Sequence, residues 1–232
     1  MGTERVRHWF FSGFAIAAAS IVFVGFAPSF YLRSFTDGPP LPPLVVVHSI
    51  AFTSWIVLLL AQTTLAATSR IGLHRRLGAA GAVLLAVMIA LGWTTAIAAA
   101  RHGYIPGQHA GMADPLAGLI IPLRDLLLFA AAAAAALYFR RSPETHKRLM
   151  IVATINLLPA ASGRIFAESF VGLTPVLILA CVVAGPIYDR AGGRRLHWAY
   201  LWGGSLTFLS LLVQFPIART AAWHRVAAWL IG

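Results

Sequence analysis

This chain predicts an all-α bundle of transmembrane helices, about seven spans in one integral membrane domain covering 1–232. Three observations carry that expectation. The 232 residues are 59% hydrophobic and only 11% charged, where a soluble domain carries about 25% charged residues. The apolar residues fall in runs long enough for a bilayer core, which needs about 20 residues of helix. The basic residues fall in short clusters between those runs. A net charge of +11 arranged in this way flanks helices at a lipid surface and does not build a face for nucleic acid.

The spans are expected near 9–32, 44–67, 77–99, 116–139, 148–165, 171–188 and 198–217. The first follows "ERVR" and is too long for a signal-peptide core, with no convincing cleavage motif after it, so it reads as a retained anchor. The second follows the loop "DGPPLPP". The third opens after "LHRRLG" and carries "GAAGA", small residues that let helices approach closely. The fourth ends in an alanine run, 130–136. The fifth opens after "THKR" and holds Asn156, and span two holds Gln62; both suit hydrogen bonds between helices. The sixth is short, with Pro175 and Pro186 near its ends, where proline is tolerated. The seventh follows "RRLHW". After it, "RTAAWHRVAAWLIG" reads as a short amphipathic helix on the outer interface. The single cysteine, Cys181, allows no intrachain disulfide and no CxxC site.

With the N-terminus inside, the inner segments hold twelve of the basic residues and the outer segments five, Arg33, Arg101, Arg164, Arg219 and Arg225. Cations favour the cytoplasmic side, so N-in and C-out is the expected orientation. The lipid bilayer is then the constant partner.

The inner turns each set a histidine beside cations: His74 in "LHRRLG", His146 in "THKRLM" and His197 in "RRLHW". All three belong at the start of an inside-to-outside helix, at similar depth. Three imidazoles with Asp189 as a fourth ligand would suit a metal ion, and two would suit the axial positions of haem b. The neighbouring cations argue against a bound cation and for a simple interfacial role. At that depth the histidines would also face a quinone headgroup or anionic lipid.

Ionisable residues inside a span are candidates for function, because placing one in hydrocarbon costs about 2.5–3.5 kcal/mol on insertion scales. "IIPLRDLLLF" puts Arg124 and Asp125 well inside span four. Adjacent helical residues point about 100° apart, so each is expected to find a partner on another helix. His48, Arg164 and Glu168 lie at comparable outer depth. The expectation is therefore an outer-half pocket of His48, Arg124, Asp125, Arg164 and Glu168, serving either as an ion-pair network or as a ligand site.

Several landmarks together resemble a family of bacterial multi-spanning membrane proteins of uncharacterised activity. They are "HSIAFTSWIVLLLAQTTL", "HRRLG", the "RD" of span four, "HKRLM", Arg164 and "YDRAGGRRLHWAYLWG". The resemblance runs from about residue 44 to 205 and implies a multi-pass protein of the bacterial inner membrane, with no catalytic roles to carry over. The chain is less similar to the diheme b-type cytochromes, since only His48 lies within a span at the outer level. It is also less similar to adiponectin-receptor-like hydrolases, whose last helix carries two histidines where this one has His197. Three functions stay open, the first two being a metal- or haem-binding redox protein through the inner histidines and a small-molecule transporter or binding protein through the outer pocket. A non-catalytic assembly subunit is the third. No nucleotide loop or nucleophile elbow points to soluble catalysis.

Overall fold

The computed structural model describes residues 2–36, 40–102, 114–166 and 172–232, with side chains from residue 9 onward. Every regular element among the described residues is helical. Among the described residues, seven helices are long and apolar enough to cross a membrane: Trp9–Tyr31, Pro43–Ala67, Ile71–Arg101, Pro115–Tyr138, Pro143–Phe166, Leu173–Ala191 and Ala199–Ala218. The chain divides into two compact units, Met1–Leu91 and Gly92–Gly232, the boundary falling inside the third of these helices.

In the first unit, α1 (Gly2–Phe26) runs on into a π-helical turn, Ala27–Tyr31, and packs along α2 (Pro43–Ala67). Pro43 opens α2, where its missing N–H costs nothing. The helix ends in a Schellman turn, with Arg70 N–H on the Leu65 carbonyl at 2.9 Å and Ser69 N–H on the Ala66 carbonyl at 3.2 Å. Ser69 takes the left-handed position there, φ 59°. α3 (Ile71–Arg101) starts at once. It begins well before residue 77, so His74, Arg75 and Arg76 stand on its first turns and not in a loop. Gln62 Nε2 donates to the His74 carbonyl at 3.1 Å, which ties α2 to α3.

The second unit is built around one span. Over its most apolar 18-residue stretch, Pro143–Phe166 is 67% buried, against 22–39% for the corresponding stretches of Pro115–Tyr138, Leu173–Ala191 and Ala199–Ala218. That span is two helices, α6 (Pro143–Ile155) and α7 (Leu158–Phe166). They part just before Pro159, which has no N–H to continue the ladder. The Asn156 side-chain amide donates to the Val152 carbonyl at 2.9 Å, satisfying an acceptor at the break. α4 (Pro115–Gly118) and α5 (Ile120–Tyr138) form the preceding span. α8 (Leu173–Ala191) follows, then a π-helical segment, Ala199–Gly204, that continues into α9 (Ser205–Ala218). α5 and α9 run antiparallel: Ala117 and Ile120 pack on Ala218 at one end of the unit, and Ala136 packs with Leu149 and Ala199 at the other.

A buried ion pair joins three of these elements at the Ala199 end. Arg148 of α6 is 2% exposed and Asp189 of α8 is 0% exposed. Arg148 Nε donates to Asp189 Oδ2 at 2.9 Å and Nη2 to Oδ1 at 2.5 Å, a bidentate pair. Its Nη1 donates to the Glu144 carboxylate at 2.6 Å and to the Glu144 carbonyl at 2.8 Å. The Arg148 guanidinium also lies 5.7 Å over the Tyr200 ring, on the π-helical segment. Tyr200 lies so close to Gly185 of α8 that a methyl group at 185 would collide with the ring. The end of α8 completes the cluster. Gly193 takes φ +69° in a Schellman turn, with Arg194 N–H on the Asp189 carbonyl at 2.9 Å. That turn brings Arg194 Nη1 to 3.6 Å from Asp189 Oδ1.

Apolar residues face outward in quantity, among them Trp202, Leu127, Ile187 and Val83. Water would not tolerate so much exposed apolar surface, and lipid does. The last helix, α10 (Ala221–Ile231), forms as expected, capped by Thr220 Oγ1 accepting from Trp223 N–H at 3.1 Å. It is not simply laid down, however. Trp223 Nε1 donates to the Leu116 carbonyl at 2.8 Å, Arg101 Nε donates to the Ile231 carbonyl at 2.5 Å, and Ala227 is fully buried.

Removing one member of a buried ion pair strands the other, which typically costs about 3–5 kcal/mol. In detergent, Arg148→Met and Asp189→Leu should each destabilise the protein on that scale, and the double variant should lose clearly less than the sum. Additive losses in thermal unfolding would show that the two do not depend on each other.

Candidate functional site

The sequence pointed to two groups of residues, and the structure treats them differently. The inner group was His74, His146, His197 and Asp189. Asp189, expected as a fourth metal ligand, is instead the acceptor of the Arg148 fork with Arg194 close by. His146 Nδ1 donates to the Ala136 carbonyl at 2.8 Å. His197 Nδ1 accepts from the Ala199 N–H at 3.2 Å, and its Nε2 faces Thr145 Oγ1 at 3.4 Å. Burial lowers the pKa of His197 below the usual imidazole value, and the Arg148 charge lowers it further. His74 belongs to the first unit. Among the described residues no group of three or more His, Cys, Asp or Glu side chains is placed to hold a metal ion. A carboxylate already shared between two guanidiniums is a poor ligand for a further cation, and these donors do not fit a metal centre.

The outer group was His48, Arg124, Asp125, Arg164 and Glu168. Glu168 lies outside the described residues. His48 belongs to the first unit, where its ring stacks on Phe52 with centroids 4.1 Å apart. Arg164 Nη1 donates to the Ala160 carbonyl one turn back, at 2.7 Å. Arg124 and Asp125 are brought together. The partner of each, expected on another helix, is its own neighbour: Arg124 Nη2 donates to Asp125 Oδ1. Two Cα–Cβ bonds do diverge by about 100°, but an arginine side chain is long enough to curl back across that angle.

This pair is deep. The side chains are 11% and 12% exposed. It is also incomplete. One nitrogen of Arg124 is bonded to Asp125, while Nε and Nη1 are buried with no hydrogen-bond partner. The contrast with Arg148, all of whose nitrogens donate, is direct. Buried charged groups left without hydrogen bonds are costly, so Arg124 carries unspent donor capacity in a place where water is scarce.

One residue that sequence reasoning passed over stands at the same level. Ala218 is buried with Ala117 and Ile120 in one cluster, against which Ile121 packs. One turn further into the unit from those residues come Arg124 and Asp125 on α5, and one turn inward from Ala218 comes Gln214 on α9. Gln214 is 5% exposed and its Oε1 is buried without a partner. Its signal in the sequence was faint, a neutral amide in an apolar run, the same signal that did single out Gln62 and Asn156.

A third polar contact closes the same end of the unit. Asp114 caps α4, accepting from the Leu116 N–H at 2.9 Å, and its other oxygen lies 2.6 Å from His224 Nε2 on α10. His224 Nδ1 donates to the Thr220 carbonyl at 2.9 Å.

No protein-family model, curated protein or solved structure matches this chain. The reading of its function therefore stands on its own residues.

The Asp114–His224 contact has a pH window. The Thr220 carbonyl and then the Asp114 carboxylate raise the pKa of His224 above 6.5, and the bond to His224 lowers that of Asp114 below 3.8. The histidine part of the contact is fully present below pH 6.5 and is lost as pH rises through the raised value. The aspartate part is fully present above pH 3.8 and is lost as pH falls through the lowered one. The clasp on α10 is therefore strongest between those limits. An NMR titration of the His224 ring should show a midpoint above 6.5 that moves down in Asp114→Asn. An unmoved midpoint would show that the carboxylate does not hold the imidazolium.

Proposed function

We propose that this chain is a multi-pass protein of the bacterial inner membrane, N-terminus inside, that binds a small anionic molecule in the outer half of its second unit. Transport of that molecule is the activity such a placement suits. The orientation is supported by the excess of cations on one set of loops. One observation carries the site: a buried guanidinium, fixed by Asp125, with two nitrogens and no protein acceptor for them. A purely structural arginine in a membrane unit is expected to be saturated, as Arg148 is, because an unmet donor there has no water to turn to. A planar guanidinium is suited to carboxylate and phosphate oxygens. Asp125 keeps the cation from drawing a second protein carboxylate and holds its position while the free donors face a ligand.

Orientation is testable by itself. A cysteine at Ser142 should resist a membrane-impermeant thiol reagent in intact cells and react after permeabilisation, and one at Thr220 should react in both. The reverse pattern would sink N-in and C-out.

Binding is tested in detergent with a panel of carboxylates, phosphates and sulfonates, each matched to a neutral amide or ester. Some anions of the panel should raise the melting temperature of the wild type, and their neutral partners should not. The shift should vanish in Arg124→Gln. A panel that never shifts the melting temperature in an Arg124-dependent way would remove the site.

A further inference from the structure

We infer that Gln214 is the second half of the Arg124 site, and that the ligand is an oxyanion with a hydrogen-bonding group, such as a hydroxyl, next to its charged end. This rests on the proposed role of Arg124 and goes beyond it, because it names the specificity-determining residue and the chemistry it reads.

The argument begins with register. α5 and α9 are antiparallel neighbours, and the cluster that Ala218 shares with Ile120, against which Ile121 packs, places Gln214 at the level of Arg124 and Asp125. Gln214 is buried, and its carbonyl oxygen has no acceptor role with any protein group. A buried glutamine in a membrane helix ordinarily binds a neighbouring helix or the turn before it. The other amides each make one such bond: Gln62 Nε2 reaches the His74 carbonyl at 3.1 Å, although its Oε1 also lacks a partner, and Asn156 Nδ2 reaches the Val152 carbonyl at 2.9 Å. Gln214 does neither.

Two buried side chains at one level thus carry complementary, unmet groups. Arg124 offers N–H donors that attract an anion, and Gln214 offers a carbonyl acceptor. They have not answered each other. A molecule that met both would place its oxyanion on the guanidinium and donate a hydrogen bond from an adjacent hydroxyl or N–H to Gln214 Oε1. A simple anion would leave the amide unmet. A site built around a polar group discriminates strongly against an analogue that lacks it, because the site's own buried atom stays unpaired. The selectivity is for the neighbouring donor, with charge alone as the entry requirement.

The test uses full-length protein in detergent and two matched pairs of probes, lactate with propionate and salicylate with benzoate. Each pair differs by a hydroxyl beside the carboxylate. In the wild type the hydroxylated member of at least one pair should bind about tenfold more tightly, the worth of one hydrogen bond in a buried site. Gln214→Met keeps the shape and removes the acceptor. It should abolish that preference while leaving binding of the plain carboxylate. The unliganded variant should also melt higher, by about 2–4 °C, because an unmet buried amide is gone.

If Gln214→Met lowers the melting temperature, the amide has a structural partner and the inference is overturned. If the plain and hydroxylated acids bind equally, and both require Arg124, the anion site stands and the role of Gln214 is overturned. If none of the four probes depends on Arg124, the ligand chemistry assigned to both residues falls together.

Discussion

The second unit depends on the pairing of Arg148 with Asp189. Two full charges in an apolar interior are tolerated only when their hydrogen-bonding capacity is met, because neither water nor lipid can meet it for them. That requirement dictates much of the local structure. The carboxylate must come from α8, so α8 packs against α6 at the depth of Arg148. Glu144 must lie one turn back on α6 to take the remaining nitrogen. The helix after the turn must bring an aromatic face over the guanidinium, and the π-helical segment at Ala199–Gly204 does so with Tyr200. Room for that ring requires glycine at 185. Gly193 then ends α8 in the one conformation that folds Arg194 back toward Asp189.

Arg124 shows what the same residue type looks like when that requirement is not met by protein. Both arginines sit on helices of one unit, and both have a carboxylate against them. Arg148 draws its acceptors from two helices and is saturated. Arg124 draws its acceptor from the next residue in its own chain, which satisfies one nitrogen. A pair made of neighbours forms wherever the helix is placed, so it adds nothing to the packing of α5 on α6 or α9. The first arginine joins two helices; the second keeps two nitrogens that no protein group meets. That difference in bonding, and not depth or charge, is what the ligand role proposed for Arg124 rests on.

Much of the architecture was legible in the sequence, and the reasons for the failures are physical. Seven apolar runs were readable because spanning length and hydropathy are local properties. Arg124 and Asp125 stood out because two charges inside an apolar run have no other explanation. Arg148 did not, because it follows His146 and Lys147 directly and looked like one more cation of an inner loop. The helix in fact starts at Pro143, which carries Arg148 past the first turn and into the core. Asp189 was noticed but given a metal-binding role, since its partner lies 41 residues away and no local pattern joins them. Gln214 was missed because an uncharged amide barely alters hydropathy. Its interest comes only from having no partner, which is a property of the fold.

The three histidines show how a sequence pattern can be real and its obvious reading still not follow. Each stands beside cations at the start of an apolar segment, and the cations have a sufficient cause in the orientation of membrane helices. A helix start also presents unbonded backbone groups, and an imidazole can both donate to and accept from backbone. His146 donates to the carbonyl of Ala136 near the end of the preceding helix, closing the turn between α5 and α6. His197 accepts from the N–H of Ala199 at the head of the π-helical segment. Both bonds finish a turn between consecutive helices, and neither needs a ligand to explain it. The same test, asking what each polar atom still lacks, leaves these two histidines answered and leaves Arg124 and Gln214 with atoms that no protein group meets.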